Sequence, residues 1–337
     1  VMSLPKLSSL NPAFHQGEIA LQKKLEIDRE IGERTNGFIR SFMPEQHRQF
    51  FTSSPFTVFA LVDEKGHPVA TPVWGEGDFI ESPSATQLRF SLPVEVWNMM
   101  QHSLNLDVTS GSKIGIVGIE YATRRRNRLN GTISHATNEN LTVLVDQSFG
   151  NCPQYIHKRT TVKKQRAVQT APMKNTVGAG DSTFFTSTSN VLTSSARSLI
   201  SRAETFFIAS RHKSLGHAAN EGLDVSHRGG KAGFVKVEGN SLIFPDFSGN
   251  KFFNTLGNIL LDPRVGLCFW DNETGDLLFI KAKASIESLE SNITAFEGAE
   301  RFVSLSVLSV THISGVYPYS HEITDMSPYA LKTGDWK

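Results

Sequence analysis

The chain has 337 residues, of which 39% are hydrophobic and 20% charged, which suits a globular protein and excludes a mainly disordered one. At the usual ~100–200 residues per domain, this length predicts about two domains. Lys and Arg number 34 and Asp and Glu number 33, so the net charge of +1 provides no global field to attract nucleic acid or an anionic membrane. Any site for an anion must be local.

The two cysteines, Cys152 and Cys268, are too few and too far apart for a disulfide framework or a zinc cluster. Free thiols are typical of a reducing compartment, so we expect a cytoplasmic protein. Residues 1–22 lack the pattern of a signal peptide, and no window approaches the ~18 unbroken apolar residues of a membrane span. Neither a membrane nor a nucleic acid is therefore expected as a partner, and no metal site is predicted.

Residues 1–35 are predicted to form a helical leader on the outside, because apolar side chains recur at helical spacing between Ile19 and Ile31. After the leader, the order helix, strand, hairpin, strand, helix, strand, strand occurs in residues 36–158 and again in 194–320. This internal duplication predicts a mainly β fold, with two small antiparallel β-barrels in tandem and flanking helices.

The segment between the copies, residues 159–193, is rich in Ser, Thr and basic residues and is predicted to be a linker. Within it, NTVGAGDS at 175–182 resembles the signature of ribokinase-type sugar kinases. Asn175 stands where that signature has Asp, and a mid-chain linker is the wrong place for it, so no kinase site is predicted. Residues 321–337 are predicted to be a C-terminal tail.

The segment Ser226–Phe234, with the sequence SHRGGKAGF, concentrates groups that bind anions beside a predicted strand. Arg228 can hold a phosphate through two parallel hydrogen bonds, and Lys231 can add a point charge. Gly229 and Gly230 allow backbone amides to approach a ligand closely. The alternative is a polar turn in which glycine supplies a positive φ.

A second candidate segment, Pro245–Thr255, ends at the predicted start of a helix. Free backbone amides and the positive end of the helix dipole favour phosphate at such a place. Lys251 adds a charge, and Asn254 lies on the face opposite the apolar stripe. The alternative is ordinary N-capping by Ser248 or Asn250, although a cap does not need the charge of Lys251.

Four arginines, Arg124, Arg125, Arg126 and Arg128, occur within five residues. One such cluster without interleaved aromatic residues, in a chain of net charge +1, does not indicate a nucleic-acid surface. The alternatives are a solvated hairpin tip and a contact with a phosphate or an acidic substrate.

The stretches DVSHRGGKAGFVKV at 224–237 and LIFPDFSGNKFFNTLGNILLDPRVGLCFWD at 242–271 resemble the pyridoxamine 5'-phosphate oxidase-related flavin-nucleotide-binding proteins. The first half fits the same family through GIVGIEYATRRRNRLNGT at 115–132 and FGNCPQYIHKR at 149–159. The resemblance covers roughly residues 15–315 and implies tandem FMN-binding split barrels in one chain.

The resemblance implies FMN as the cofactor, held by its phosphate. Carried over residue by residue, the implied positions are Ser226, His227, Arg228, Lys231, Asn250, Lys251, Asn254 and Thr255, beside Gly229 of the same motif. Since single-barrel members bind the flavin between subunits, the cluster with Arg124, Arg126 and Arg128 is expected to face the ligand of the second barrel. His227 is the candidate catalytic residue, through a hydrogen bond near the flavin or the substrate.

Two positions depart from the family. Glu204 stands where the family usually has Asp, and the C-terminal YALKTGDWK does not resemble the segment that closes over a pyridoxal ring, so oxidation of vitamin B6 itself is not expected.

The resemblance implies an FMN-dependent oxidoreductase that transfers hydride or electrons between the flavin and an unidentified small molecule, with NAD(P)H or a partner reductase as electron donor. The alternatives are a non-catalytic flavin or haem carrier on the same fold and a scaffold that has lost its ligand. If the protein binds haem, the predicted axial ligand is His212, His217 or His312. The number of flavins per chain and the pairing of chains into a homodimer stay open.

Overall fold

The computed structural model describes residues 13–165, 184–287 and 295–337. The kinase-like motif at 175–182 lies outside these residues. The described chain is built mainly from antiparallel β-strands in two large sheets and one strand pair, with short helices beside them. The predicted mainly β fold with flanking helices is therefore confirmed. None of the helices in the described ranges combines the length and the apolar character that crossing a membrane requires.

The first sheet has seven antiparallel strands. They are β1 (Phe56–Val62), β2 (Pro68–Trp74), β3 (Ile80–Ser84), β4 (Gln87–Ser91), β5 (Lys113–Glu120), β6 (Arg125–Ala136) and β7 (Asn140–Gly150). Their spatial order is β2-β1-β5-β6-β7-β4-β3. The helix α3 (Glu45–Thr52) precedes the sheet, and α4 (Val94–Asn98), continued by a π-helical turn (Met99–Ser103), joins β4 to β5. β1 and β2 are buried along their whole length, which explains their nearly continuous apolar sequences.

The second sheet repeats this arrangement. Its strands are β10 (Thr205–Arg211), β11 (Leu223–Gly229), β12 (Lys236–Glu238), β13 (Ser241–Phe247), β14 (Arg264–Trp270), β15 (Leu277–Glu287) and β16 (Ala299–Ile313). Their order, β11-β10-β14-β15-β16-β13-β12, is that of the first sheet strand for strand, and the short β9 (Thr186–Ser189) adds to β16. The helix α5 (Ser194–Arg202) precedes this sheet, and α6 (Asn254–Leu261) joins β13 to β14. The residue boundaries of the two domains stay a prediction.

The two sheets pack closely, with β5 against β11 and β14 against β2. Two glycines permit this approach: a Cβ on Gly266 would lie 2.2 Å from the Pro68 carbonyl oxygen, and one on Gly115 would lie 3.0 Å from that of Leu223. One apolar cluster extends from the first sheet to Phe207 of the second. The packing also brings β6 next to β11, where the candidate residues lie.

The leader differs from its prediction. It forms two helices, α1 (Gln16–Lys24) and α2 (Asp28–Thr35), and α1 buries Gly17, Glu18 and Gln22 rather than an apolar stripe. The reason is its close contact with α6, because a Cβ on Gly17 would lie only 2.1 Å from the Gly257 carbonyl oxygen. The leader therefore packs against the helix that follows the second candidate segment.

The predicted linker and tail both contain residues of β-strands, and β9 lies wholly within the linker. β8 (Lys158–Lys163) pairs antiparallel with β17 (Tyr319–Asp325), and the chain continues into the short helix α7 (Pro328–Leu331). This pairing joins the end of the first copy to the end of the second, so residues predicted as irregular segments take part in a sheet.

Candidate functional site

A cavity lies between the two sheets, where β6 meets β11. The cavity has a volume of about 120 Å³ and is open to solvent. Of the twelve site residues put forward from the sequence, ten line this cavity. They are Arg126, Arg128, Ser226, His227, Arg228, Gly229, Asn250, Lys251, Asn254 and Thr255. Three segments distant in the sequence thus contribute to one site.

The first sheet contributes Arg126 and Arg128 from β6. Because side chains alternate along a strand, both point to the same face, whereas Arg125 lies over the Phe50 ring at 5.1 Å. The Arg128 Nη1 atom donates to the Asp224 carboxylate at 2.9 Å and to the Asn254 side-chain oxygen at 3.0 Å, and Nη2 donates to the Ser226 hydroxyl. Arg128 therefore connects the first sheet to β11 and to the first residue of α6.

The second sheet holds Arg228 in an ion pair that the sequence did not indicate. Arg228 Nη1 donates to Asp246 at 2.6 Å, and Arg301 Nη1 donates to the other oxygen of the same carboxylate at 2.5 Å. Asp246 and Arg301 are direct neighbours across β13 and β16, and both line the cavity. The two hydrogen bonds that Arg228 was expected to donate to a phosphate are thus partly replaced by its bond to Asp246.

The loop before α6 brings Lys251 and the first turn of the helix to the cavity. Lys251 and Phe253 both have φ of 60°, in the left-handed region, which turns the chain sharply into the helix at Asn254. Within the described residues the Lys251 ammonium has neither an ion pair nor a hydrogen-bond partner. The unpaired backbone amides of a first helical turn add partial positive charge beside it.

The cavity carries an excess of positive charge. Burial, and then the nearby Arg128 and Arg228, lower the pKa of Arg126 to about 9. Burial also lowers the pKa of Arg128, against the opposing influence of Asp224. Behind the site, burial raises the pKa of Glu18 to about 8, so this carboxyl group is largely neutral at pH 7 and does little to balance the arginines. A bound anion would relieve this repulsion.

Several buried donors at the cavity lack a partner among the residues that the structure describes. They are the Thr255 hydroxyl and the Nε atoms of Arg126, Arg128 and Arg228. Two side-chain oxygens of the lining, those of Asn151 and Gln154, also lack a partner, so the unpaired groups at the cavity include acceptors as well as donors. The donors and the cations together fit an anionic group such as a phosphate.

One wall of the cavity follows β7 and was not foreseen as part of the site. Residues 151, 152 and 154–156 line it, and the Tyr155 ring stacks on Phe247 at a centroid distance of 4.9 Å. Gly229 is needed here because a Cβ would lie 2.1 Å from the Tyr155 carbonyl oxygen. FGNCPQYIHKR carried the family resemblance, but no residue pattern indicated which strand this segment would meet.

His227 lies on β11 between two cavity residues, and its ring points away from them. Its Nε2 atom lies 2.6 Å from the Thr205 hydroxyl on the neighbouring strand, while its carbonyl oxygen accepts a hydrogen bond from Arg126. Burial, and then the positive charges of Arg126 and Arg159, lower the pKa of His227 well below its ordinary value. The imidazole is therefore neutral and already engaged.

Two of the proposed residues lie outside the cavity. Arg124 donates to the Ile156 carbonyl oxygen at 2.8 Å and to the Asp325 carboxylate at 2.7 Å. Lys231 forms an ion pair with Asp335 at 3.2 Å. Arg124 falls in the turn before β6 and Lys231 in the turn after β11, so neither shares the strand face of the residues that line the cavity.

The three candidate haem ligands also lie elsewhere. His312 pairs with Asp276 at 2.8 Å, His212 bonds within its own turn to Ser214, and His217 is exposed. None of these three histidines lines the cavity described here. A haem bound in this cavity would therefore lack the predicted axial ligand.

The sequence matches no family model and no curated protein. Among solved structures, a "putative pyridoxamine 5'-phosphate oxidase" of Lactobacillus delbrueckii is 18% identical, over 36% of this chain and 94% of its own, with a TM-score of 0.29. HupZ from Group A Streptococcus is 14% identical over 32% and 94%, with a TM-score of 0.24. A structure named F420 Reductase is 12% identical over 31% and 94%, with a TM-score of 0.20. Likenesses this distant establish nothing about the function of this chain.

Proposed function

We propose that the chain is an FMN-binding oxidoreductase and that the cavity between the sheets holds the phosphate of the cofactor. One observation carries the proposal: cations from both sheets converge on one cavity, with few carboxylates among its lining residues. The cations are Arg126, Arg128, Arg228, Lys251 and Arg301, and the carboxylates are Asp246 and Glu300. A phosphate monoester carries about −1.5 to −2 charges at neutral pH and accepts hydrogen bonds through three oxygens, which matches this excess of donors.

The phosphate would be bound by the groups that have donors to spare. Lys251 would supply a full charge, and the first turn of α6 would supply backbone amides and the Thr255 hydroxyl. Arg126 and Arg128 would add positive charge from the first sheet. Arg228 and Arg301, held by Asp246, would form a rigid positive border rather than a direct clamp.

Aromatic side chains of the lining would contact the flat, partly apolar ring system of a flavin. Tyr155, Phe247 and Phe253 line the cavity beside the cations, and aromatic side chains provide large contact areas for such rings. FMN, when bound, supplies the redox chemistry, and this chain supplies binding, orientation and electrostatics. In the proposal the substrate is a small molecule, and NAD(P)H or a partner reductase provides the electrons.

A second candidate function is a flavin carrier without turnover. The observation that favours it is the state of His227, which sequence analysis put forward for catalysis. Its imidazole is neutral, bound to Thr205 and directed away from Ser226 and Arg228. If the substrate needs a protein acid or base, this residue does not provide one.

The experiment is a titration of the purified protein with FMN, followed by flavin fluorescence. Arg126→Leu combined with Lys251→Gln should weaken FMN binding by roughly 100-fold or more, because each charged hydrogen bond contributes about 1.5–3 kcal/mol. Riboflavin, which lacks the phosphate, should bind weakly to the wild type and to this variant alike. Equal FMN affinity of the two proteins would contradict the phosphate site.

A matched control is Arg125→Gln, which removes one charge from the same strand but on the other face, over Phe50. It should leave FMN affinity unchanged. Oxidation of NADPH by the FMN-loaded protein with an added electron acceptor then distinguishes the oxidoreductase from the carrier. A Soret band without flavin bands in the purified protein would refute FMN as the cofactor.

A further inference from the structure

The repeated topology allows each cavity residue to be matched with a counterpart in the other half. Phe59 of β1 pairs with Thr71 on one side and Ile116 on the other. In the second sheet, Ile208 of β10 pairs with Ser226 and Leu267 in the same way. Thr71 is therefore the counterpart of Ser226, and all other positions follow from the register of the strands.

The counterparts of the three arginines nearest the sheet contact are all apolar. Two residues after Ser226, β11 has Arg228, and two residues after Thr71, β2 has Val73 at the corresponding position. Arg128 pairs with Val117, and the counterpart of Val117, Cys268, pairs with Phe279. Phe279 is therefore the counterpart of Arg128. Arg126 pairs with Ile119, and the counterpart of Ile119, Trp270, pairs with Leu277. Leu277 is therefore the counterpart of Arg126.

The counterpart region is also filled. Val73 and Leu277 are 0% exposed, and Phe279 is 4% exposed. Trp74 replaces Gly229 at the next position, and the Tyr317 ring lies 5.5 Å from the Trp74 ring and 5.1 Å from that of Trp270. Bulky side chains thus occupy the place that the cavity occupies in the other half.

The nearest cation on the counterpart strand is already neutralised. Lys281 lies two residues beyond Phe279 on β15, and its ammonium donates to the Asp63 carboxylate at 2.5 Å. The same carboxylate also accepts backbone N–H bonds from Lys65 and His67. The other cation of this strand, Lys283, has no ion pair within the described residues, but it is exposed and lies six residues from Leu277 along the strand.

We infer that the chain binds one phosphate-bearing ligand rather than two, in a composite site to which the first sheet contributes Arg126 and Arg128 and the second copy contributes Arg228 and the loop before α6. The counterpart half-site is a structural contact between the sheets. The inference rests on the proposed function, because FMN is the ligand whose copies are counted.

The test is the number of FMN molecules per chain, measured by native mass spectrometry and by calorimetric titration. One FMN per chain is expected. Two per chain would overturn this inference while supporting the proposed function, and no binding at all would overturn both.

Two variants locate the single site. Arg126→Leu with Lys251→Gln should leave no tight binding phase, whereas loss of only one of two FMN molecules bound by the wild type would reveal a second site and overturn the inference. Leu277→Met, a change of similar volume in the counterpart half, should keep one FMN with affinity within about threefold of the wild type. Circular dichroism of each variant verifies that it is folded.

Discussion

The Arg128 guanidinium of the first sheet lies 2.9 Å from the Asp224 carboxylate of the second, and the two side chains are only 6% and 3% exposed. The other Asp224 oxygen has no hydrogen-bond partner among the described residues, so this carboxylate depends on Arg128. The contact is therefore part of both the sheet-to-sheet packing and the candidate site.

Arg128→Leu should destabilise the protein by about 3–5 kcal/mol, because it leaves a buried carboxylate unpaired. Urea unfolding followed by circular dichroism measures this loss. Arg128→Leu with Asp224→Leu should recover part of the stability, since both charges are then removed. A single variant as stable as the wild type would contradict a structural role for the pair.

Gly229→Ala should disturb the cavity wall, since the added Cβ would lie 2.1 Å from the Tyr155 carbonyl oxygen. We expect a loss of about 1–3 kcal/mol in the free energy of unfolding, together with weaker FMN binding as residues 151–156 shift. Gly249→Ala is the matched control, because Gly249 lines the same cavity and its Cβ would meet nothing within 4 Å. Equal effects of the two substitutions would refute the steric explanation.

Glu18 should make stability depend on pH in an unusual direction. Burial raises its pKa from 4.5 to about 8, so the folded protein binds more protons than the unfolded chain between these values. The stability contributed by Glu18 therefore falls as pH rises through this window, by at most ~1.4 kcal/mol per pH unit. The free energy of unfolding of Glu18→Gln, relative to that of the wild type, should increase as the pH is raised from about 5 to about 8. A constant difference would show that Glu18 does not titrate in this range.

His227 should not act as a proton donor or acceptor near neutral pH, because burial and the neighbouring arginines lower its pKa well below 6.5. His227→Gln can keep the hydrogen bond to Thr205, so FMN affinity should stay within about threefold of the wild type. Any NADPH-driven turnover should be retained as well. A fall in turnover of ~100-fold or more, the usual size for a lost general acid or base, would restore the catalytic assignment.

The protonation of His227 also predicts an effect on stability. A histidine in the unfolded chain gains a proton below about pH 6.5, whereas the buried His227 resists protonation. The contribution of His227 to the free energy of unfolding is therefore present above that pH and is lost as the solution becomes more acidic. The free energy of unfolding of the wild type should therefore fall relative to that of His227→Gln as the pH drops below about 6.5, and a difference that stays constant would contradict this prediction.

Local sequence determined much of this protein. Short apolar runs such as those at 56–62 and 205–211 predicted strands, because a strand that is buried on both faces of its sheet needs apolar residues at successive positions. The repeated order of elements predicted two copies of one β-rich unit in the chain. The segments around Arg228 and Lys251 were chosen for their chemistry, and both contribute to the same cavity.

The tertiary structure decided which charges are available. Arg228 is partly neutralised by Asp246 and Lys231 by Asp335, while Lys251 has no ion pair within the described residues, and no local pattern distinguishes these cations. The buried polar face of α1 likewise follows from its contact with Gly257 and not from its own periodicity. Pairing between strands and between helices is set by residues far away in the chain, so the sequence could name the chemical groups of the site, and only the packing of the two sheets could select among them.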